Sequence, residues 1–309
     1  MSHHGLCAHH TVCATLALAG IAVLACSDST APADPAGVQF GSPVSLADFQ
    51  ARLAGAPRLE IKLLPGGLVA REVDVEPDDA EEQIVSRVTA INPTAGTLTL
   101  ELGGLVVSYT SATRFHTPAS SSVSRSAWEG SVAAAIGSGA NPPVEIRRNP
   151  PAAPQAPADA TFNAVDLRIA DEVDEPKLEI YVNAANFEPV TSPPPLAILR
   201  VLNLPIQITS ATRLVAVVAG GGPPQGNVEF EAQIASVNVN ASTFTLVDGT
   251  VIELAGATFD PAGDLFTLAG VATAVNAGSF VRVEGRGAVQ SAGPPAVIAA
   301  TYVKVEVDD

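Results

Sequence analysis

Chemistry in this chain would have to come from a short list of side chains. Of its five histidines, His3, His4, His9 and His10 lie in the first ten residues, which leaves His116 beside "TPASSS" (Thr117 to Ser122). One imidazole can act as the base of a Ser-His-Asp constellation, but it cannot build a two-histidine metal site. The neighbouring serines make His116 a candidate base; its place just after a predicted strand reads more simply as a solvent-exposed loop. Paired carboxylates are the other resource. They support glycoside hydrolysis, and several together can bind a hard cation. "EPDDAEE" (Glu76 to Glu82) and "DEVDEP" (Asp171 to Pro176) supply them. Both runs fall between predicted strands and read as solvated linkers, and neither has the Gly-punctuated spacing of an EF-hand loop. "AGGGPPQGN" (Ala219 to Asn227) lacks the Lys and the following helix of a phosphate loop. No catalytic, cofactor-binding or metal-ligating residue is assigned. Arg114 and Arg147 are candidate anion contacts, on a barrel face beneath residues 92–96 and 149–157.

Cysteine usage concerns address rather than catalysis. The chain has Cys7, Cys13 and Cys26, so a disulfide framework or thiolate metal site is not expected. Ala14 to Ala25 is an apolar run, short for a membrane span and suited to a signal-peptide core. It leads into Val23-Leu24-Ala25-Cys26, which resembles the lipobox read by bacterial lipoprotein signal peptidase. That resemblance implies cleavage after residue 25 and diacylglycerol on Cys26. The segment before the run holds histidines and no Lys or Arg, a departure from the usual signal peptide. Acyl chains contribute about 0.8 kcal/mol per buried methylene, enough for firm anchoring when two or three are present. Residues 26–44 are rich in Pro, Gly, Ser and Asp and read as a flexible tether. The expected location is the bacterial cell envelope, at the outer membrane or its periplasmic face, with the membrane reached through the N-terminal lipid. A net charge of −16 repels phosphate backbones, so nucleic acid is not an expected partner.

The elements that must hold these residues are legible from periodicity. "VTAINPTAGTLTLELGG" (Val88 to Gly104) lies without a gap on "IASVNVNASTFTLVDGT" (Ile234 to Thr250). Thr-Ser-Ala-Thr-Arg occurs at 110–114 and again at 209–213, and reads as the end of a strand. Such self-similarity marks repeated units. "QIASVNV", "TFTLV", "TVIELAGATF", "FVRVEG" and "ATYVKVEV" alternate at period two and predict five strands. Between the third and fourth, Leu268, Val271 and Val275 predict a helix over 264–277 with Gly278 as its C-cap. Residues 83–170 repeat that order, with Trp128, Val132 and Ile136 on the helix face. The predicted fold class is therefore mainly β: tandem OB-like five-stranded barrels, each with one short helix between strands three and four. Full modules span 83–170 and 229–309. Partial modules span 45–76 (helix and two strands) and 177–218 (three strands), and their missing halves are complementary. They are expected to pair into one composite barrel with 83–170 inserted between them.

These residues resemble a bacterial family, the domain of unknown function 5666. The shared features are Ile234 and Val237, Thr243 to Leu246, Ala257 to Phe259, Val281 to Gly285, and Ala300 with Val303. Copy one departs at Arg147, where the family usually has Gly. The resemblance implies tandem β-rich modules in envelope lipoproteins and carries no catalytic or ligand residues. The functional expectation is a non-enzymatic, lipid-anchored envelope protein in a binding or structural role, its partner an envelope protein or a glycan, with no cofactor. Two rivals stand beside it: a carboxylate-dependent hydrolase of envelope glycans or peptides, and a calcium-dependent adhesion or matrix module. A hydrolase would gather Asp and Glu in one concavity, whereas a binding module would disperse them.

Overall fold

The structure is a computed structural model that describes residues 38–76, 81–120, 122–149, 161–170, 175–192, 194–218 and 223–308. The signal segment, Cys26 and most of the 149–157 loop lie outside the described residues. Among the described residues no helix is long and apolar enough to cross a membrane.

The first segment holds β1 (Gln39–Pro43), α1 (Leu46–Arg52), β2 (Arg58–Leu63) and β3 (Ala70–Glu76). Ser45 caps α1 by accepting from the Asp48 amide. Next come β4 (Glu82–Asn92), β5 (Thr97–Leu100), β6 (Val106–Ser108), β7 (Arg114–His116), α2 (Arg125–Gly137), β8 (Pro143–Arg148), β9 (Phe162–Asn163) and β10 (Asp166–Ile169). The third segment is β11 (Lys177–Tyr181), β12 (Phe187–Pro189), β13 (Ala197–Val201), β14 (Leu204–Ile208) and β15 (Arg213–Val218). The last is β16 (Asn227–Asn238), β17 (Thr243–Leu246), β18 (Val251–Glu253), β19 (Thr258–Phe259), α3 (Leu268–Ala277), β20 (Phe280–Ser291) and β21 (Val297–Asp308).

The fold is mainly β, and its strands close a five-stranded barrel. β4 runs antiparallel to β5 and β5 to β6. β6 and β7 run parallel to β9 and β10. β10 pairs with β8, and β8 returns to β4. Hydrogen bonding around the ring removes the sheet edges that would otherwise invite association. Closure depends on a bulge in β4 between Val88 and Ala90, which bends that strand between β8 and β5. β16 carries the matching bulge, between Ile234 and Ser236. Its pairings run through β17, β18 and β19, β21 and β20 back to β16. The tight turns match as well: Asn92 accepts from Ala95 and Asn238 from Ala241, with Gly96 and Ser242 both at positive φ.

Segment 45–76 pairs with segment 177–218. β2 is antiparallel to β11, β3 is antiparallel to β2, and β3 is parallel to β15. The two stretches share one apolar core, in which Leu59, Ile61 and Val73 meet Leu178, Ile180 and Leu199. That core is continuous with the one inside the β4–β10 barrel, where Trp128 stacks edge-on and tilted against Tyr109 and Phe115. The β16–β21 ring has its own core around Phe230, Phe244 and Ile298. Full burial of each such side chain stabilises by about 1.5–3 kcal/mol.

Three expectations are corrected here. The tether expected over 26–44 does not extend to its end, because Gln39–Pro43 is a strand held between β15 and β16, with Phe40 buried in the β16–β21 core. The final helix begins at Leu268 rather than 264, since Thr267 takes the N-cap and accepts from the Gly270 amide. Thr-Ser-Ala-Thr-Arg is not the end of a strand but the turn between two, β6 and β7 in one case and β14 and β15 in the other. Thr113 accepts from the Thr110 amide and donates to the Ala164 carbonyl. Thr212 accepts from the Thr209 amide and donates to the Ala70 carbonyl. The arginine that follows then lies opposite an acid in each case, Arg114 against Asp166 and Arg213 against Glu72.

Candidate functional site

Two places bring ionisable side chains together. The first is the outward face of β11, β2, β3 and β15, which lie side by side. Period two sends Leu59, Ile61 and Val73 inward, so Arg58, Glu60, Lys62, Glu72 and Asp74 point the other way. Register then sets them in rows: Lys177, Lys62, Glu72 and Arg213 across one line, and Glu179, Glu60 and Asp74 across the next. On a free sheet this face would be solvated. Here β1, β16 and β20 lie over it and add Glu229, Glu231 and Glu284.

The result is a charge lattice at the seam between the β2–β15 strands and the β16–β21 barrel. Lys62 is the hub, its Nζ 3.1 Å from Glu72, 3.2 Å from Glu60 and 3.0 Å from Glu284. Arg213 bridges Glu72 and Glu229. Lys177 lies 3.3 Å from Glu60. Asp74 is the exception: only 7 % exposed, it sits 3.9 Å from Lys62 through Oδ2, and no hydrogen bond reaches its Oδ1. A cavity of about 40 Å³ lies among these groups.

Burial acts on all of these acids, and the local charge decides the outcome. Glu60 is held well below the usual carboxylate range because Lys177 and Lys62 outweigh the cost of its burial. Glu284 is lowered by Lys62 in the same way. Asp74 goes well up, through burial and then the Glu72 charge. Burial and the Glu60 charge push Glu76 up to about 7. Glu229 is also raised, by burial and by Glu72. A carboxyl raised in the folded state stabilises most below its unfolded value and loses that contribution as pH climbs through the folded one. Glu60 and Glu284 act oppositely and withdraw stability only below their ordinary range. Thermal stability is therefore expected to peak near pH 5 and to fall by pH 8, with Glu76 alone accounting for roughly 2 kcal/mol. Melting curves across pH 4–9 check this, and Glu76→Gln should flatten the decline.

The second place is on the β4–β10 barrel. Asp166 lies in register with Arg114 on one side and Arg147 on the other. Its Oδ2 is 3.0 Å from Arg114 Nε and 3.0 Å from His116 Nε2. The structure thus gathers Arg114, Arg147 and His116 around one acid, but both arginines already hold carboxylates, Arg147 those of Glu145 and Glu81. His116 is a correction: it is a strand residue only 5 % exposed, not a solvent-facing loop histidine. No hydrogen bond reaches its Nδ1, and among the described residues no serine hydroxyl bonds it.

The acidic runs are corrected too. Residues 77–80 and 171–174 lie outside the described residues, but the flanks are structural. Glu82 is fully buried on β4, pairs with Arg148 and accepts the Tyr181 amide. Glu175 pairs with Arg71 at 2.8 Å. Of the carboxylates that converge, Glu72, Asp74, Glu229 and Glu284 lie outside both runs, and Glu76 is the first residue of one. The signal for Glu72 and Asp74 was present in "AREVDVE", beside "RLEIKL", where charges of both signs fill the outward positions. No protein-family model, curated protein or solved structure matches this chain.

Proposed function

We propose that this chain is a lipid-anchored protein of the bacterial cell envelope, built from three OB-like barrels and acting as a non-catalytic binding or structural module. Strands β4–β10 and β16–β21 are two copies of one unit, and the α1–β3 and β11–β15 stretches make a third whose chain order is permuted around the inserted copy. The matching bulges, turns and Thr-Arg circuits support this reading. The observation that carries the non-catalytic role is the seam. Acids converge there, as a hydrolase would require, but Lys62 and Arg213 bind them to one another. Its cavity of about 40 Å³ is far below the roughly 300–1,000 Å³ of ligand clefts. Such a lattice fastens one barrel to another instead of holding a sugar ring.

The anchor rests on Cys26 and the apolar run before it. Labelling cells with a palmitate probe should mark the wild-type protein and not Cys26→Ser, and the variant should leave the membrane fraction. An unlabelled wild type, or a labelled variant, would refute the anchor. Hydrolysis of peptidoglycan or peptide by the purified protein that vanishes in Asp166→Asn would establish the enzymatic reading in place of the modular one.

A further inference from the structure

We propose that Glu72, Asp74 and Glu229 bind a calcium ion in the seam cavity, and that the ion helps to clamp the β16–β21 barrel onto strands β3 and β15. The proposal goes beyond lipid anchoring and does not rest on it.

Three observations carry it. One carboxylate oxygen from each of the three residues lies within 4.8 Å of the other two. Calcium bonds oxygen at about 2.3–2.6 Å, so two ligands on opposite sides of the ion stand about 4.8 Å apart. The three oxygens are therefore close enough together to share one calcium ion. Magnesium demands near-ideal octahedral geometry and gives up its waters reluctantly, so it suits such a site less well. The donor set is all carboxylate, which suits a hard cation and not zinc or copper.

Second, the site holds a buried carboxyl oxygen that no hydrogen bond reaches. Asp74 is more than nine-tenths buried and lines the cavity, and its Oδ1 has no hydrogen-bond partner. Burying a carboxylate that way costs several kcal/mol unless a cation or a proton meets it. Lys62 is the only cationic residue lining the cavity among the described residues; it stands closer to Glu60, Glu72 and Glu284 than to Asp74, whose Oδ2 it meets at 3.9 Å. Arg213 is spent on Glu72 and Glu229.

Third, the cavity has the right size. A buried water needs about 10–15 Å³, so the space of about 40 Å³ takes an ion and a water or two to complete its shell. The ligands also join two bodies: Glu72 and Asp74 belong to β3, and Glu229 belongs to β16. Two strands far apart in sequence would be tied at one point.

The experiment uses the full chain in detergent, stripped with a chelator, and titrated with calcium chloride at pH 8 by calorimetry and by thermal melting. One saturable site is expected, with a dissociation constant on the order of 10⁻⁴ M, typical of extracellular calcium modules. The melting temperature should rise with calcium and less with magnesium. Asp74→Asn should weaken binding at least tenfold while melting no lower than wild type in chelator, because it removes a carboxyl whose burial disfavours its charge. Glu229→Gln should weaken binding too and gives a second reading should either variant fold poorly. Because protons compete for Asp74 and Glu229, affinity should fall at pH 5. The proposal is overturned if calcium up to millimolar levels gives neither heat nor a melting shift in wild type. It is equally overturned if binding is undiminished in both variants, which would place calcium elsewhere.

Discussion

Lys62→Met should lower the stability of the folded chain by about 3–5 kcal/mol, the cost of removing one partner from a buried ion pair. The physical reason is that the ammonium answers several carboxylates at once. Glu72, Glu60 and Glu284 lie within 3.2 Å of Nζ, and Asp74 is 3.9 Å away. Burial works against that charge, yet these acids hold Lys62 well above its ordinary value, so the ammonium is present throughout the accessible pH range. Methionine keeps the aliphatic length and removes only the charge. Urea unfolding at pH 8 should show the loss directly. Lowering the pH to 5 should return part of it, because Asp74 and Glu76 then take up protons. The double change Lys62→Met with Glu72→Leu should cost less than the two single changes summed, since each removes what the other leaves unpaired. If Lys62→Met costs under about 1 kcal/mol, water screens the seam as it would an exposed ion pair, and the lattice is not what joins β2 and β3 to the β16–β21 strands.

Phe40→Ala should cost about 3–5 kcal/mol, as for other large-to-small changes in a filled core. Phe40 is 1 % exposed and packs with Phe230, Ile298 and their neighbours in the β16–β21 core. Its strand also supplies backbone hydrogen bonds on both sides, to β15 and to β16, so the side chain and the ladder stand together. The fit is close. A Cβ added at Gly41 would collide with the Val215 side chain, so only glycine lets β1 approach β15 there. Were residues 26–44 a loose tether throughout, Phe40→Ala would change stability by no more than about 0.5 kcal/mol, the ordinary range for surface sites. Urea unfolding distinguishes the two outcomes. The strand matters for its surroundings as well. β1 covers the otherwise open flank of β16, as β11 covers that of β4, and an open flank of that kind invites pairing with another chain.

The sequence by itself determined which side of each strand faces its own barrel. Alternation in "RLEIKL" places Leu59, Ile61 and Leu63 inside because successive side chains on a strand point to opposite faces. The gapless match of Val88–Gly104 with Ile234–Thr250 carried the two bulges and the two Asn-headed turns with it, since those depend on residues a few positions apart. A helix end was legible at Gly278 for the same local reason. What the sequence left open was the fate of the outward faces. Lys62 and Asp74 read as solvent-facing on their own strands and become buried because β16 and β20, more than 150 residues away in the chain, pack over them. Phe40 likewise sits in a stretch whose composition says tether. His116 follows a strand in the sequence and lies within one in space. Burial of an outward side chain is a property of the surface that meets it, and only the tertiary structure brings that surface into place.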